Sequence, residues 1–174
     1  YGDIGRSAAQ RAYALGMKVL ALRRRPELSR GDGCAEEVFS WDRKLEMLPR
    51  CDYVVAAAPL TPETKGMIGA PEFASMKPDA VIMNVGRGPV IDEPAMIQAL
   101  EQKRIKGAAL DVFDTEPLPA GHPFYRMENV LLSPHCADHT SDWLEQAMTF
   151  FLQNFERFRK GESLVNVVDK SQGY

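Results

Sequence analysis

The chain has 174 residues, of which 45% are hydrophobic and 26% charged, and its formal net charge is −3. These values are typical of a globular chain that can bury one sizeable core, and they exclude a disordered or fibrous protein. No apolar run reaches the roughly 18 residues of a membrane span, and the mildly negative charge argues against a nucleic-acid partner.

The apolar segments alternate between helical and strand patterns along the chain. Alanine-rich residues 6–15 predict a helix that Gly16 ends, and the apolar run 18–22 predicts a buried strand. Further helices are predicted at 42–48, 71–76 and 92–103, and further strands at 53–58, 80–85, 107–113 and 129–133. Apolar strands separated by helices indicate a parallel sheet covered on both faces, in a doubly wound α/β fold.

The last predicted helix has the clearest periodicity. Thr140 or Ser141 is expected to cap its start, and basic residues precede Gly161 at its end. Apolar residues recur at steps of three and four on one face, which predicts that this face is part of the core; they are Leu144, Ala147, Met148, Phe151, Phe155 and Phe158.

The chain opens with YGDIGRSAAQ, which has the spacing of a phosphate-binding turn. Gly2 and Gly5 are spaced as the second and third glycines of a G-x-G-x-x-G motif. Gly2 would let the backbone approach a phosphate, and the amides of Asp3 and Ile4 would lie at a helix N-terminus that favours anions. An ordinary glycine-rich turn is the alternative interpretation.

Three arginines follow the predicted strand 18–22. In dinucleotide-binding folds an acidic residue at the end of the second strand binds the ribose 2′-hydroxyl of NAD. Arg23 and Arg24 stand at this point, and their guanidinium groups can pair with the 2′-phosphate of NADP. The run favours NADP as the cofactor, with NAD possible, although a solvated basic loop has the same composition.

Three ionisable residues follow three different predicted strands. Arg87 lies in NVGRGP, Glu116 in DVFDTEP and His135 in LLSPHC. The ends of parallel strands meet at one edge of the sheet, where ligands bind in open α/β folds, so these residues are expected to converge.

Their chemistry fits the reduction of a 2-oxo acid. Arg87 could bind a carboxylate and polarise the adjacent carbonyl, and His135 could protonate its oxygen while a cofactor supplies hydride. Glu116 beside the imidazole would favour its charged form and hold its tautomer. Each residue also has a structural alternative, as a turn arginine, a solvent-facing acid or a packed histidine. His122 and His139 are expected to be structural or solvent-facing.

These motifs together resemble the nucleotide-binding domain of the D-isomer-specific 2-hydroxyacid dehydrogenases, a Rossmann-type domain. The resemblance covers the whole chain and rests on the glycine turn and on PLTPET, NVGRGPVIDE, GAALDVFDTEPLP and SPHCADHT. It implies that Arg87, Glu116 and His135 are the catalytic residues. It also implies a cofactor cleft whose remaining members are Pro59, Thr64, Val85, Gly86 and Asp111.

The sequence departs from the family pattern at its start. The first strand, the first glycine and the preceding substrate domain are absent, so we expect residues 1–174 to be a truncated dinucleotide-binding domain with little turnover of its own. Residues 162–174 are expected to form a tail that returns toward the substrate domain. The basic residues from Arg23 onward resemble those of NADPH-preferring glyoxylate/hydroxypyruvate reductases.

Other interpretations stay open at this point. Transcriptional corepressors share the fold and the three ionisable residues, and phosphoglycerate or another 2-hydroxy acid could be the substrate. Formate dehydrogenases are disfavoured because they have Gln where Glu116 stands. A homodimer is implied by resemblance, the cytoplasm is the default location, and three cysteines without a C-x-x-C pair favour a reducing compartment. No metal-ligand spacing is apparent.

Overall fold

A computed structural model describes residues 1–29 and 31–170. The chain divides into two compact units, Tyr1–Pro134 and His135–Tyr174, which we describe separately. Within the described residues, no helix is long and apolar enough to cross a membrane. The same part of the chain contains no group of three His, Cys, Asp or Glu residues placed to hold a metal.

The first unit alternates helices and strands, as predicted. Its helices are α1 (Asp3–Ala14), α2 (Lys44–Met47), α3 (Ala70–Ser75) and α4 (Glu93–Glu101). Its strands are β1 (Leu20–Leu22), β2 (Glu37–Phe39), β3 (Tyr53–Ala56), β4 (Val81–Asn84), β5 (Gly107–Leu110) and β6 (Val130–Leu132). Short 3₁₀ turns at Gly88–Val90 and Pro123–Arg126 interrupt two of the loops.

Every strand pair within residues 1–29 and 31–170 is parallel, which confirms the predicted sheet type. β1 pairs with β2, and a second sheet has the order β3-β4-β5-β6. Tyr53 lies opposite Val81, and Val81 lies opposite Gly107, so the strands start nearly level with one another. The chain therefore leaves β3, β4, β5 and β6 at the same edge, which is the ligand-binding edge of open α/β sheets.

The core lies on one face of the four-stranded sheet. α3 and α4 pack there around buried side chains that include Phe39, Phe73, Ile82 and Leu100. A buried ion pair holds α2 to α3: Lys44 Nζ lies 2.9 Å from Glu72 Oε1, and Glu72 Oε2 accepts the Gly69 N–H at 2.8 Å. These contacts satisfy a carboxylate that burial would otherwise penalise.

The predicted parallel sheet with flanking helices is confirmed, but its second face is incompletely covered at the outer strands. Alternate side chains of the outer strands are exposed: Tyr53 at 55%, Val55 at 42% and Leu131 at 71%. An all-apolar strand sequence predicts that both faces can be buried, but it does not say whether the covering element belongs to the same stretch of chain.

Several boundaries differ from the predicted ones, and one strand was missed. β2 has only three residues and carries Glu37, so it lacks an apolar run, and it exists because it pairs with β1. α1 begins at Asp3, directly after Gly2, and it ends as predicted before Gly16, whose φ is +82°. The strands are shorter than predicted, with three or four residues each.

The second unit contains one long helix, α5 (Trp143–Arg159). The helix was predicted, but the placement of its apolar face in the core was wrong. No residue of α5 is buried, and Phe151 and Phe158 are 61% and 71% exposed. Periodicity shows which face is apolar, whereas burial depends on what packs against that face.

The cap of α5 was also misplaced. The N-cap residue is Asp142, not Thr140 or Ser141, and its carboxylate accepts hydrogen bonds from the Thr140 hydroxyl at 3.0 Å and the Gln146 amide at 2.6 Å. After the helix, Val165 N–H donates to Asn154 Oδ1 at 3.0 Å, so the chain turns back along α5. Residues 171–174 of the predicted tail lie outside the described residues.

Candidate active site

The glycine turn leads directly into the N-terminus of α1. Gly2, Asp3 and Ile4 are exposed, and a Cβ built on Gly2 would meet no atom within 4 Å. The N–H groups of the first helical turn have no acceptor within a helix, so this open end can bind an anion. A Cβ on Gly5 would lie 4.0 Å from Ala57 Cβ, an ordinary contact, so close packing does not require glycine there.

The arginine run lies beside this turn. The terminal amino group of Tyr1 donates to the Leu22 carbonyl oxygen at 2.7 Å, so Arg23 follows the residue that contacts the turn. Arg23 Nη1 donates to the hydroxyl of buried Ser29 at 2.8 Å, which orients its guanidinium. A hydrogen bond from Thr61 and, more weakly, the charge of Arg24 lower the pKa of Glu63 from its ordinary value.

Arg87 is presented by a loop that the buried side chain of Asn84 shapes. We call residues 85–88 the Arg87 loop. Asn84 Nδ2 donates to the Arg87 carbonyl oxygen at 3.1 Å, and its Oδ1 accepts the Gly86 N–H at 3.1 Å. Arg87 itself is exposed, and its Nη1 donates to the Gly86 carbonyl oxygen at 2.7 Å.

Two glycines allow the Arg87 loop to pack closely against the backbone of the segments that follow β3 and β5. A Cβ on Gly86 would lie 2.7 Å from the Ala58 carbonyl oxygen, beyond the end of β3. A Cβ on Gly88 would lie 2.0 Å from the carbonyl carbon of Phe113, beyond the end of β5. Both contacts are with backbone atoms, so any side chain at either position would push the loops apart.

Glu116 lies on the loop that follows Phe113. We call residues 114–122 the Glu116 loop. Glu116 is exposed, and its Oε1 accepts the Phe113 N–H at 2.9 Å. Because Phe113 also contacts Gly88, the structure brings the loops that carry Arg87 and Glu116 into backbone contact.

The remaining residues assigned to the cofactor cleft lie near the same edge. Asp111 is buried at the end of β5, where its Oδ1 accepts the Ser133 hydroxyl at 2.6 Å. Thr64 is buried, donates its hydroxyl to the Pro59 carbonyl oxygen at 2.6 Å and accepts the Thr61 N–H at 2.7 Å. The hydroxyl of Thr64 thus shapes its own turn, and its contact with a cofactor stays a prediction. Val85 N–H donates to the Ala56 carbonyl oxygen at 3.0 Å.

His135 begins the second unit. It is exposed, and its φ of +51° is in the left-handed region that residues other than glycine rarely adopt. Such backbone conformations occur often at functional sites. The meeting of His135 with Arg87 and Glu116 stays a prediction.

A group of residues at the two ends of the Glu116 loop was not expected from the sequence. His122 Nε2 lies 3.1 Å from Glu93 Oε1, and their side chains are only 14% and 16% exposed. Burial, together with the charges of Glu93 and Asp92, raises the pKa of Asp114. Because its imidazole is paired with Glu93 and largely buried, His122 is structural rather than solvent-facing.

His139 stacks on Trp143 with ring centroids 5.9 Å apart.

The parallel sheet, the glycine turn and the loops at its carboxyl edge define a Rossmann-type dinucleotide-binding domain. A family model described as D-isomer specific 2-hydroxyacid dehydrogenase, NAD binding domain, matches residues 1–137. The chain belongs to this family.

Relatives of known structure or curated name agree with this assignment. A glyoxylate reductase from Thermococcus gammatolerans is 38% identical over 174 residues, which cover 98% of this chain and 50% of that protein. A D-isomer specific 2-hydroxyacid dehydrogenase from Xanthobacter autotrophicus, solved with NADPH and MES, has a TM-score of 0.91 at 37% identity. This match covers 99% of the present chain and 53% of the Xanthobacter chain.

A third relative carries a more specific name. The NADPH-dependent glyoxylate/hydroxypyruvate reductase of Sinorhizobium meliloti, solved with NADP and sulfate, has a TM-score of 0.90 at 32% identity. The match covers 99% of this chain and 54% of that one. The chain thus spans about half the length of the relatives it matches.

Proposed function

We propose that the full-length protein reduces a small 2-oxo acid, glyoxylate or hydroxypyruvate, to the D-2-hydroxy acid, with NADPH as the preferred reductant. The observation that carries the proposal is the backbone contact between Gly88 and Phe113, which brings the loops of Arg87 and Glu116 together. The names of the relatives support the substrate class.

The residues present fit a dinucleotide. The open N-terminus of α1 would bind the pyrophosphate, and Asp111 would face the nicotinamide. Arg23 and Arg24 would bind the 2′-phosphate, and the hydrogen bond from Arg23 to the Ser29 hydroxyl supports this role because it restricts the guanidinium. When bound, the cofactor supplies the hydride.

The chain's own residues would bind the acid and move the proton. Arg87 can offer two parallel N–H donors to the substrate carboxylate, because its loop leaves the guanidinium exposed. His135 would give a proton to the carbonyl oxygen, and Glu116 would hold the imidazole in its protonated form. A glutamine at position 116 could not stabilise the imidazolium in this way.

The test is steady-state kinetics of the full-length protein with glyoxylate, hydroxypyruvate and phosphoglycerate-derived 2-oxo acids. We expect Arg87→Ala to lower kcat/KM by about 10²-fold or more, and His135→Ala by about 10²- to 10⁴-fold. Arg126→Ala, an exposed arginine on another loop, is the matched control and should stay within about twofold. Peptide binding without turnover of any 2-oxo acid would instead favour a corepressor.

Cofactor preference has its own test. Arg23→Asp should lower kcat/KM with NADPH and raise it with NADH, because a carboxylate repels a 2′-phosphate and accepts a 2′-hydroxyl. A ratio of the two values that does not change contradicts the assignment. Because the chain spans about half the length of its relatives, residues 1–174 alone are expected to show less turnover than the full-length protein under the same conditions.

We also propose that the full-length protein is a homodimer and that it is located in the cytoplasm. The homodimer is suggested by family resemblance, and light scattering on the full-length protein would measure it. Cell fractionation would test the compartment.

A further inference from the structure

A partly buried side-chain pair lies at the base of the Glu116 loop. His122 ends this loop and caps the 3₁₀ turn Pro123–Arg126, where its Nδ1 accepts the Phe124 N–H at 3.4 Å. Its ring centroid lies 4.7 Å from that of Phe124, a fully buried core residue. The imidazole is therefore anchored to the core on one side and faces Glu93 on the other.

The hydrogen bonds of His122 specify its tautomer. A nitrogen that accepts a backbone N–H carries a lone pair, so Nδ1 is unprotonated and the ring proton is on Nε2. This Nε2–H points to Glu93 Oε1 at 3.1 Å. The imidazole thus donates to a carboxylate, and both side chains are largely buried.

The same carboxylate also holds the start of the loop. Glu93 Oε2 accepts the Asp114 N–H at 3.4 Å, while Glu93 Oε1 faces His122. The first and last residues of the Glu116 loop therefore meet at the two oxygens of one side chain. Glu116 lies between them, and its own carboxylate accepts the adjacent Phe113 N–H.

Glu93 connects this closed loop to the segment that carries Arg87. It stands in the first turn of α4, which follows the Arg87 loop and the turn Gly88–Val90. Asp92 caps the same helix by accepting the Ala95 N–H at 3.0 Å, so Glu93 starts from a well-defined backbone position. Gly88 touches Phe113 at the other end of the same segment.

We propose that His122 and Glu93 form a positioning pair for the reaction, which clips the Glu116 loop to α4 and thereby sets the position of Glu116 relative to Arg87. This inference rests on the proposed function. Neither side chain is assigned a contact with the substrate. Their loss should therefore slow the chemical step and leave cofactor binding unchanged.

The experiment compares His122→Ala, Glu93→Ala and the double variant in the full-length protein, with NADPH and glyoxylate or hydroxypyruvate as probes. We expect each single variant to lower kcat about 10- to 100-fold, because a small misplacement of a reacting group is costly, with the Kd for NADPH within about twofold. The double variant should be no worse than either single one, because the two residues act as a unit. His122→Gln, which keeps a donor, should recover most of the loss.

Glu101→Ala, on the exposed end of the same helix, is the matched control and should keep wild-type kcat. If the alanine variants do not fold, Glu93→Gln carries the test with the same split between kcat and Kd, because it removes one of the two acceptors. Folded variants that keep wild-type kcat, or that lose only NADPH affinity or thermal stability, overturn the proposal.

Amide hydrogen exchange separates this inference from the proposed function. The Phe113 and Asp114 amides donate to Glu116 and Glu93, so their exchange should be about tenfold faster in the alanine variants if the clip holds the loop. Unchanged exchange overturns the clip. A wild-type protein that reduces no 2-oxo acid contradicts the proposed function instead, and the exchange rates then decide on the clip alone.

Discussion

The two units of the chain use their apolar residues in opposite ways. In Tyr1–Pro134, large side chains such as Phe39 and Phe73 are buried, and the loops at the sheet edge are braced by glycine contacts and buried polar side chains. In His135–Tyr174, the longest helix keeps its apolar face exposed. Helical periodicity therefore predicts which face of a helix is apolar. Whether that face is buried depends on another element that packs against it, and the sequence of the helix does not specify this element.

The strongest test of this contrast is a pair of phenylalanine truncations in the 174-residue chain. Phe73→Ala should lower the free energy of unfolding by about 3 to 5 kcal/mol, because it leaves a cavity in the core. Phe151→Ala should change it by less than about 0.5 kcal/mol, because that ring is exposed. Urea unfolding measures both, and equal losses would show that the apolar face of α5 is covered in solution.

A smaller effect is expected from closing the space between the two site loops. Gly88→Ala places a Cβ against the Phe113 backbone, so we expect a loss of about 3 kcal/mol in the free energy of unfolding. Gly33→Ala is the matched control, because a Cβ there meets nothing within 4 Å, and it should stay within about 0.5 kcal/mol. If the two variants unfold at the same urea concentration, the loops are not in the described contact.

The smallest of the three effects depends on pH. Burial opposes ionisation of Glu72, but the Lys44 ammonium and the Gly69 N–H outweigh it and hold the pKa of this carboxyl below its ordinary value of 4.5. A lowered folded-state pKa contributes stability above pH 4.5, which is lost as the pH falls through the folded-state value.

Glu72→Gln should therefore cost about 2 kcal/mol at pH 7, and this cost should shrink below pH 4.5. Urea unfolding of wild type and variant from pH 7 to pH 3.5 measures the difference. The exposed Glu128→Gln serves as control, with little change at any pH. A cost for Glu72→Gln that grows on acidification would reverse the assigned direction of the shift.

The sequence predicted the parts of the fold that depend on local pattern. Apolar runs predicted the four strands of the main sheet and the helices between them. Gly16 predicted the end of a helix, because the positive φ at this position suits glycine. β2 was missed because its three residues become a strand only by pairing with β1. Pairing across sequence is a tertiary property that no local window contains.

The candidate site shows the same division. Arg87 and Glu116 could be placed at one sheet edge, because the ends of parallel strands coincide there. The Gly88 contact could not be foreseen, since glycine between Arg87 and Pro89 serves many turns equally well. His122 and Glu93 are 29 positions apart in the sequence, so the residues around either one do not predict their pairing.

Asn84 has a consequence for the chemical ageing of the protein. Its amide donates to the Arg87 carbonyl oxygen and accepts the Gly86 N–H, so the loop needs a donor and an acceptor from one planar group. Deamidation would replace the donor with a second anionic oxygen 3.1 Å from that carbonyl oxygen, an arrangement that repels. A mass change of about one dalton at a single amide would thus deform the Arg87 loop without cutting the chain.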